Sequence, residues 1–102
     1  MKNIINVGEV YFADLQGEVY SGRRMVLVAA VMPGLAVVYP IRTSKLHRSC
    51  RSSLLIDKGS WTKGRKVSAD SSRIITLHTD ALKERVGFVN EEWVKEKLND
   101  RL

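Results

Sequence analysis

Met25-Val26-Leu27-Val28-Ala29-Ala30-Val31, then Met32-Pro33-Gly34, then Leu35-Ala36-Val37-Val38-Tyr39-Pro40-Ile41 is the stretch that decides the fold. Each apolar run is too short for a stable helix and too continuously apolar to face water, so the two read as strands in the centre of a sheet. Between them proline presets one turn angle and glycine accepts a positive φ, the chemistry of a hairpin turn. Pro40 has no N–H to donate, which predicts that the second of these strands loses its regular ladder there.

Upstream, Val7 to Leu15 contains Val10, Tyr11, Phe12 and Leu15 and ends before Gln16-Gly17, which predicts a first strand. Downstream, Thr43 to Ser53 is polar, basic and without period, and reads as a loop. Short strands follow at Leu54 to Ile56, Lys66 to Ala69 and Arg73 to Leu77, a helical turn at Thr79 to Lys83, and a last strand at Arg85 to Val89. The tail predicts a helix: Asn90 is a good cap, Glu91 and Glu92 suit the first turn, and Val94, Leu98 and Leu102 recur at four-residue spacing. Trp93 widens that apolar face. Short strands closed by one helix predict a mainly β domain, a small, strongly bent antiparallel sheet or barrel with the helix packed against it.

The chain has 102 residues, enough for one domain spanning 1–102, with no internal repeat and no linker. Hydrophobic residues at 44% and charged residues at 27% match a folded globular chain rather than a disordered one. No run approaches the length of a membrane span, and the start has no apolar stretch long enough for a signal peptide, so the expectation is a cytoplasmic protein away from membranes. A single cysteine, Cys50, excludes an internal disulfide and a cysteine-based zinc site.

The formal charge of +6 is unevenly spread. Residues 19–73 hold eleven bases and two acids, and no acid falls between Glu18 and Asp57, an interval that contains Arg23, Arg24, Arg42, Lys45, Arg48 and Arg51. That segment reads either as an anion-binding surface or as solvated loop charge. His47 and His78 are far apart without a carboxylate at ligand spacing, so no metal is expected. No GxGxxG, Walker or serine-elbow pattern is present, so no nucleotide cofactor or serine triad is expected either.

Ser21-Gly22-Arg23-Arg24 opens one strand of the proposed hairpin and Pro40-Ile41-Arg42-Thr43-Ser44-Lys45 closes the other. Antiparallel neighbours bring opposite ends together, so Arg24 and Thr43 are expected on one rim. A guanidinium and a hydroxyl there are donors suited to a phosphate and to the charge of its transition state. The same residues also read as strand ends with only local hydrogen bonds.

Gly8-Glu9-Val10-Tyr11-Phe12-Ala13-Asp14-Leu15, Gly22-Arg23-Arg24-Met25-Val26-Leu27-Val28 and Pro40-Ile41-Arg42-Thr43-Ser44, followed by Ile75-Thr76-Leu77 and Val86-Gly87-Phe88-Val89, resemble the PemK/MazF family of toxin endoribonucleases in order and over almost the whole chain. The resemblance implies an SH3-like barrel of the CcdB/PemK type with a C-terminal helix. It also implies a homodimer, an acidic antitoxin partner, and cleavage of single-stranded RNA, including mRNA, at short sequences without a metal or cofactor.

By position, Arg24 matches the family's catalytic arginine and Thr43 its catalytic threonine or serine. Met25 stands where the family has proline, and Arg42 intervenes between Ile41 and Thr43, which makes Ser44 a second candidate for the hydroxyl. Arg24 is expected chiefly to stabilise the phosphorane, because a guanidinium is a poor general base. The RNA groove is assigned to Arg23, Arg42, Lys45, Arg48 and Arg51, with Tyr20, His47 or Trp61 as surfaces for unstacked bases. The alternative is a noncatalytic nucleic-acid-binding or regulatory module on the same barrel.

Overall fold

The computed structural model of the protein describes residues 4–17, 21–42, 53–56, 67–70 and 72–97. Among the described residues seven strands run in chain order: β1 (Glu9–Gln16), β2 (Ser21–Met32), β3 (Leu35–Arg42), β4 (Ser53–Ile56), β5 (Val67–Asp70), β6 (Ile75–His78) and β7 (Leu82–Phe88). A 3₁₀ turn at Thr79–Ala81 precedes β7, and helix α1 spans Glu91–Lys97. The strands pair antiparallel in the order β4-β5-β3-β2-β1-β7, with β6 on β3.

The expected hairpin is the centre of this sheet. Met32 pairs with Leu35 across a turn in which Gly34 has φ +76°, a left-handed value that a side chain disfavours. Farther from the turn Val28 pairs with Val38 and Val26 with Pro40, while Ala29 is the extra residue of a bulge. On its other edge β3 pairs first with β6 through Leu35 to Val38 and then with β5 through Ile41 and Arg42. The interruption falls at Tyr39 and Pro40, where the missing proline N–H predicts it.

Both faces of the central strands are covered, which is why their sequences do not alternate with polar residues. One face carries Val10, Leu27, Ala29, Tyr39, Ile41, Val67 and Ala69 with Val94 of α1. The other carries Tyr11, Ala13, Leu15, Val26, Val28, Ala36, Val38 and Leu82. Each fully buried valine or leucine contributes about 1.5–3 kcal/mol relative to exposure.

Gly8 ties three strands together: its N–H donates to the Val28 carbonyl at 2.9 Å, and its own carbonyl accepts from Val89 N–H at 2.6 Å. Its φ is +94°, and a Cβ there would collide with the Val89 carbonyl oxygen.

Most element boundaries fall within two residues of the sequence expectation, and two strand starts differ by more. β2 starts at Ser21 rather than Met25, because β1 runs on to Gln16 and the ladder Gln16↔Ser21, Asp14↔Arg23 and Ala13↔Arg24 orders an exposed polar segment that burial does not. β7 starts at Leu82 rather than Arg85, because the preceding turn is only three residues long and Leu82 is buried opposite Ala13. The helix cap is as expected, with Glu92 N–H donating to Asn90 Oδ1 at 2.8 Å. Leu98, Leu102 and the Trp93 side chain lie outside the described residues. Among the described residues no helix is long and apolar enough to cross a membrane.

Candidate active site

The adjacent residues Arg23 and Arg24 leave β2 on opposite faces, since successive side chains of a strand alternate. Arg23 is in phase with Met25 and Leu27, on the face that α1 packs against. Its guanidinium carbon sits 4.4 Å from the centre of the Phe12 ring, and its Nη2 lies 3.3 Å from Glu84 Oε2. Both side chains of that ion pair are mostly exposed, so ring stacking and pairing together orient Arg23 while adding little stability.

Arg24 is in phase with Val26 and Val28, at the solvent end of the second apolar cluster. The β2–β3 ladder ends at Val26↔Pro40, and Arg24 and Arg42 each lie two residues beyond that pair, Arg24 opposite Ala13 of β1 and Arg42 on the β5 flank. Arg42 is in phase with Val38 and Pro40, hence on the Arg24 side of the sheet. Arg24 is exposed and Arg42 half-buried.

On its other flank Arg42 pairs with Ser68 of β5, which is 2% exposed. Asp70, two residues along β5, is also buried; its Oδ1 accepts from the Ser72 hydroxyl at 2.6 Å and the Ser72 N–H at 3.1 Å. The hairpin end thus brings two guanidinium-bearing positions to one face, beside a strand anchored by buried polar groups. Planar guanidinium forks match the oxygens of a phosphate.

Of the residues singled out in the sequence, the fold puts Arg24 and Arg42 on the same side of the sheet, just past the end of the β2–β3 ladder, and turns Arg23 to the other face. Tyr20, Thr43, Ser44, Lys45, His47, Arg48, Arg51 and Trp61 lie outside the described residues. The sequence reading missed Phe12 and Glu84 as partners of Arg23, because Glu84 is 61 residues away and no local pattern links them. It also missed Ser68, a serine in a short strand that only the β3–β5 register brings to Arg42.

A second charged cluster stands at the β1–β7 edge. Glu9 Oε1 accepts from Asn6 N–H at 2.6 Å and Tyr11 Oη at 3.0 Å, and Oε2 accepts from Arg85 Nη1 at 2.9 Å. Burial pushes the Glu9 pKa up, but hydrogen bonds from Arg85, Asn6 and Tyr11 and the charge of Arg85 outweigh it, and the net shift is down. Burial, together with the bond to Glu9 and its charge, raises Tyr11. With every acceptor oxygen of Glu9 engaged, this cluster pins the chain entering β1 to β7.

MazF of Deinococcus radiodurans superposes on 99% of this chain and 94% of its own with a TM-score of 0.75 at 14% identity. The chain has the MazF fold. A mycobacterial endoribonuclease covers 98% of this chain and 88% of its own, with a TM-score of 0.70 and 19% identity. Another mycobacterial endoribonuclease, solved in complex with its cognate antitoxin, covers 93% and 87%, with a TM-score of 0.68 and 21% identity. No family model and no curated protein matches the sequence. The MazF fold agrees with the mainly β architecture and terminal helix expected from the chain, and within it Arg24 and Arg42 stand at the open end of the central hairpin.

Proposed function

We propose that the chain is a metal-independent endoribonuclease toxin of a type II toxin–antitoxin system, cleaving single-stranded RNA, including mRNA, at short sequences in the cytoplasm. The observation that carries this reading is the pair Arg24 and Arg42 on one face of the central hairpin, at the end of a MazF fold. The strongly basic segment 19–73 supports the same substrate, because phosphate attraction dominates nucleic-acid affinity.

In the proposed reaction the ribose 2′-hydroxyl attacks the adjacent phosphorus. The O2′–P bond forms and the P–O5′ bond breaks. The 2′-hydroxyl gives up its proton and the departing 5′-oxygen gains one, so the products are a 2′,3′-cyclic phosphate and a 5′-hydroxyl, with no water consumed. Arg24 stabilises the charge that builds on the nonbridging oxygens, and Thr43, with Ser44 as the alternative, donates a hydroxyl hydrogen bond to one of them. Arg42, Lys45, Arg48 and Arg51, with Tyr20, hold the RNA around the cut, whereas Arg23 lies on the other face of β2 and is left out of that groove.

The chain acts as a homodimer and is silenced by an antitoxin whose acidic segment competes for the same basic surface. The antitoxin complex of one structural neighbour supports that partner class.

The test is to incubate the protein with a long single-stranded RNA in EDTA and map the ends. Discrete cuts bearing cyclic phosphate and 5′-hydroxyl ends, lost in Arg24→Ala, are expected. RNA that is retarded but intact assigns the chain instead to a noncatalytic binding module.

A further inference from the structure

We infer that Arg42 contacts the scissile phosphate together with Arg24, as a second catalytic guanidinium rather than one more cation of the RNA groove. The inference rests on the endoribonuclease reading and deepens it. Arg24 and Arg42 each lie two residues beyond Val26↔Pro40, the last pair of the β2–β3 ladder, and both are in phase with the Val26, Val28 and Val38 side of the sheet. Two long guanidinium side chains that leave neighbouring strands on the same side, each two residues past the last paired position, can converge on one phosphate with their planar forks.

Charge balance gives the second guanidinium its task. A phosphodiester carries one negative charge, and attack by a deprotonated 2′-oxygen makes the pentavalent species a dianion. One arginine matches the ground state and two match the transition state, which is the condition for accelerating the chemical step rather than only tightening binding. Arg42 is the less exposed of the two. It is half-buried and paired on its far side with the buried Ser68, whereas Arg24 is exposed. Arg23 cannot take this role from the opposite face, where Phe12 and Glu84 orient it.

The experiment compares the parent with Arg42→Ala, Arg42→Lys and Thr43→Val, using a short RNA cut in EDTA and the same RNA with 2′-deoxyribose at the cut site as a non-cleavable binding probe. Arg42→Ala is expected to lower kcat at least about a hundredfold, the size of effect seen when one preorganised donor is removed. Its Kd for the probe is expected to weaken by far less, and added guanidinium ion is expected to restore part of the rate. Arg42→Lys, which keeps the charge and loses the fork, is expected to bind as the parent does and cut slowly.

Guanidinium rescue separates a chemical role from a structural one, and thermal unfolding of Arg42→Lys separates a failed site from a failed fold. Parental cutting by a folded Arg42→Ala overturns the inference and leaves the nuclease reading standing, as does an equal loss in kcat/KM and probe binding with no rescue. No cutting by the parent overturns both.

Discussion

The Arg85 guanidinium reaches from β7 to the buried carboxylate of Glu9 on β1, Nη1 to Oε2 at 2.9 Å. Glu9 holds its proton less tightly in the folded chain than in the unfolded one, where its pKa is about 4.3. Between those two values the unfolded state binds more protons, so stability rises with pH there. The contribution is fully present above the unfolded pKa and is lost as pH falls through the lower folded one. Glu9→Gln is expected to cost roughly 1–3 kcal/mol at neutral pH, from poorly satisfied partners at a buried site. The gap between parent and variant should narrow toward pH 3. Urea unfolding of both proteins at pH 7, 5 and 3 checks this, and a gap that does not change with pH would remove the carboxylate from the account.

Replacing the Arg24 guanidinium with a methyl group tests the active-site assignment most directly. Arg24→Ala is expected to slow RNA cleavage at least about a hundredfold, corresponding to the roughly 2.7–4 kcal/mol lost with one oxyanion donor. Single-turnover rates with saturating enzyme measure it. A rate equal to the parent's sinks the assignment.

Arg23 should behave differently from its chain neighbour. Its partners are Phe12 and Glu84 on the other face, so Arg23→Ala is expected to destabilise the protein by about 1 kcal/mol or less and to affect kcat far less than Arg24→Ala does. Chemical denaturation and cleavage rates on the same preparations separate the two effects. Equal losses of kcat in the two variants would contradict their placement on opposite faces.

At Gly8 both backbone conformation and space oppose a side chain. Gly8→Ala forces a left-handed φ, at a cost of about 1–2 kcal/mol, and adds a collision with the Val89 carbonyl. A loss of more than about 2 kcal/mol is expected, against nearly 1 for Gly34→Ala, whose Cβ would meet open space. Melting temperatures of the two variants rank them.

Binding of single-stranded RNA should weaken steeply with salt, with log K falling by about 0.7 for each phosphate contact per tenfold rise in salt. Titrations of the non-cleavable probe from low to high ionic strength give the slope, and Arg42→Ala should reduce its magnitude by roughly one contact. A flat dependence would argue against phosphate contacts altogether.

The central hairpin was legible because its information is local: two apolar runs and a Pro-Gly turn decide their own conformation and pairing. The cap at Asn90 and the break at Pro40 were legible for the same reason, since each depends on what one side chain or one missing N–H can do. Arg24 emerged as a candidate from its place at a strand end. The exposed start of β2 was not legible, because the polar segment Ser21 to Arg24 has no apolar pattern and is ordered by the β1 ladder.

By itself, then, the sequence determined a mainly β chain built around one hairpin, with its positive charge concentrated in the middle. Tertiary structure alone decided which charges share a face. Arg23 and Arg24 are neighbours in the chain but sit on opposite sides of β2, while Arg24 and Arg42, distant in the chain, come to the same side of the sheet at the end of the β2–β3 ladder. Alternation within a strand is set by neighbouring residues. The partner across the sheet is set by where every pairing begins, by the bulge at Ala29 and by which strand lies on the far edge, and none of these is encoded within reach of the residue concerned.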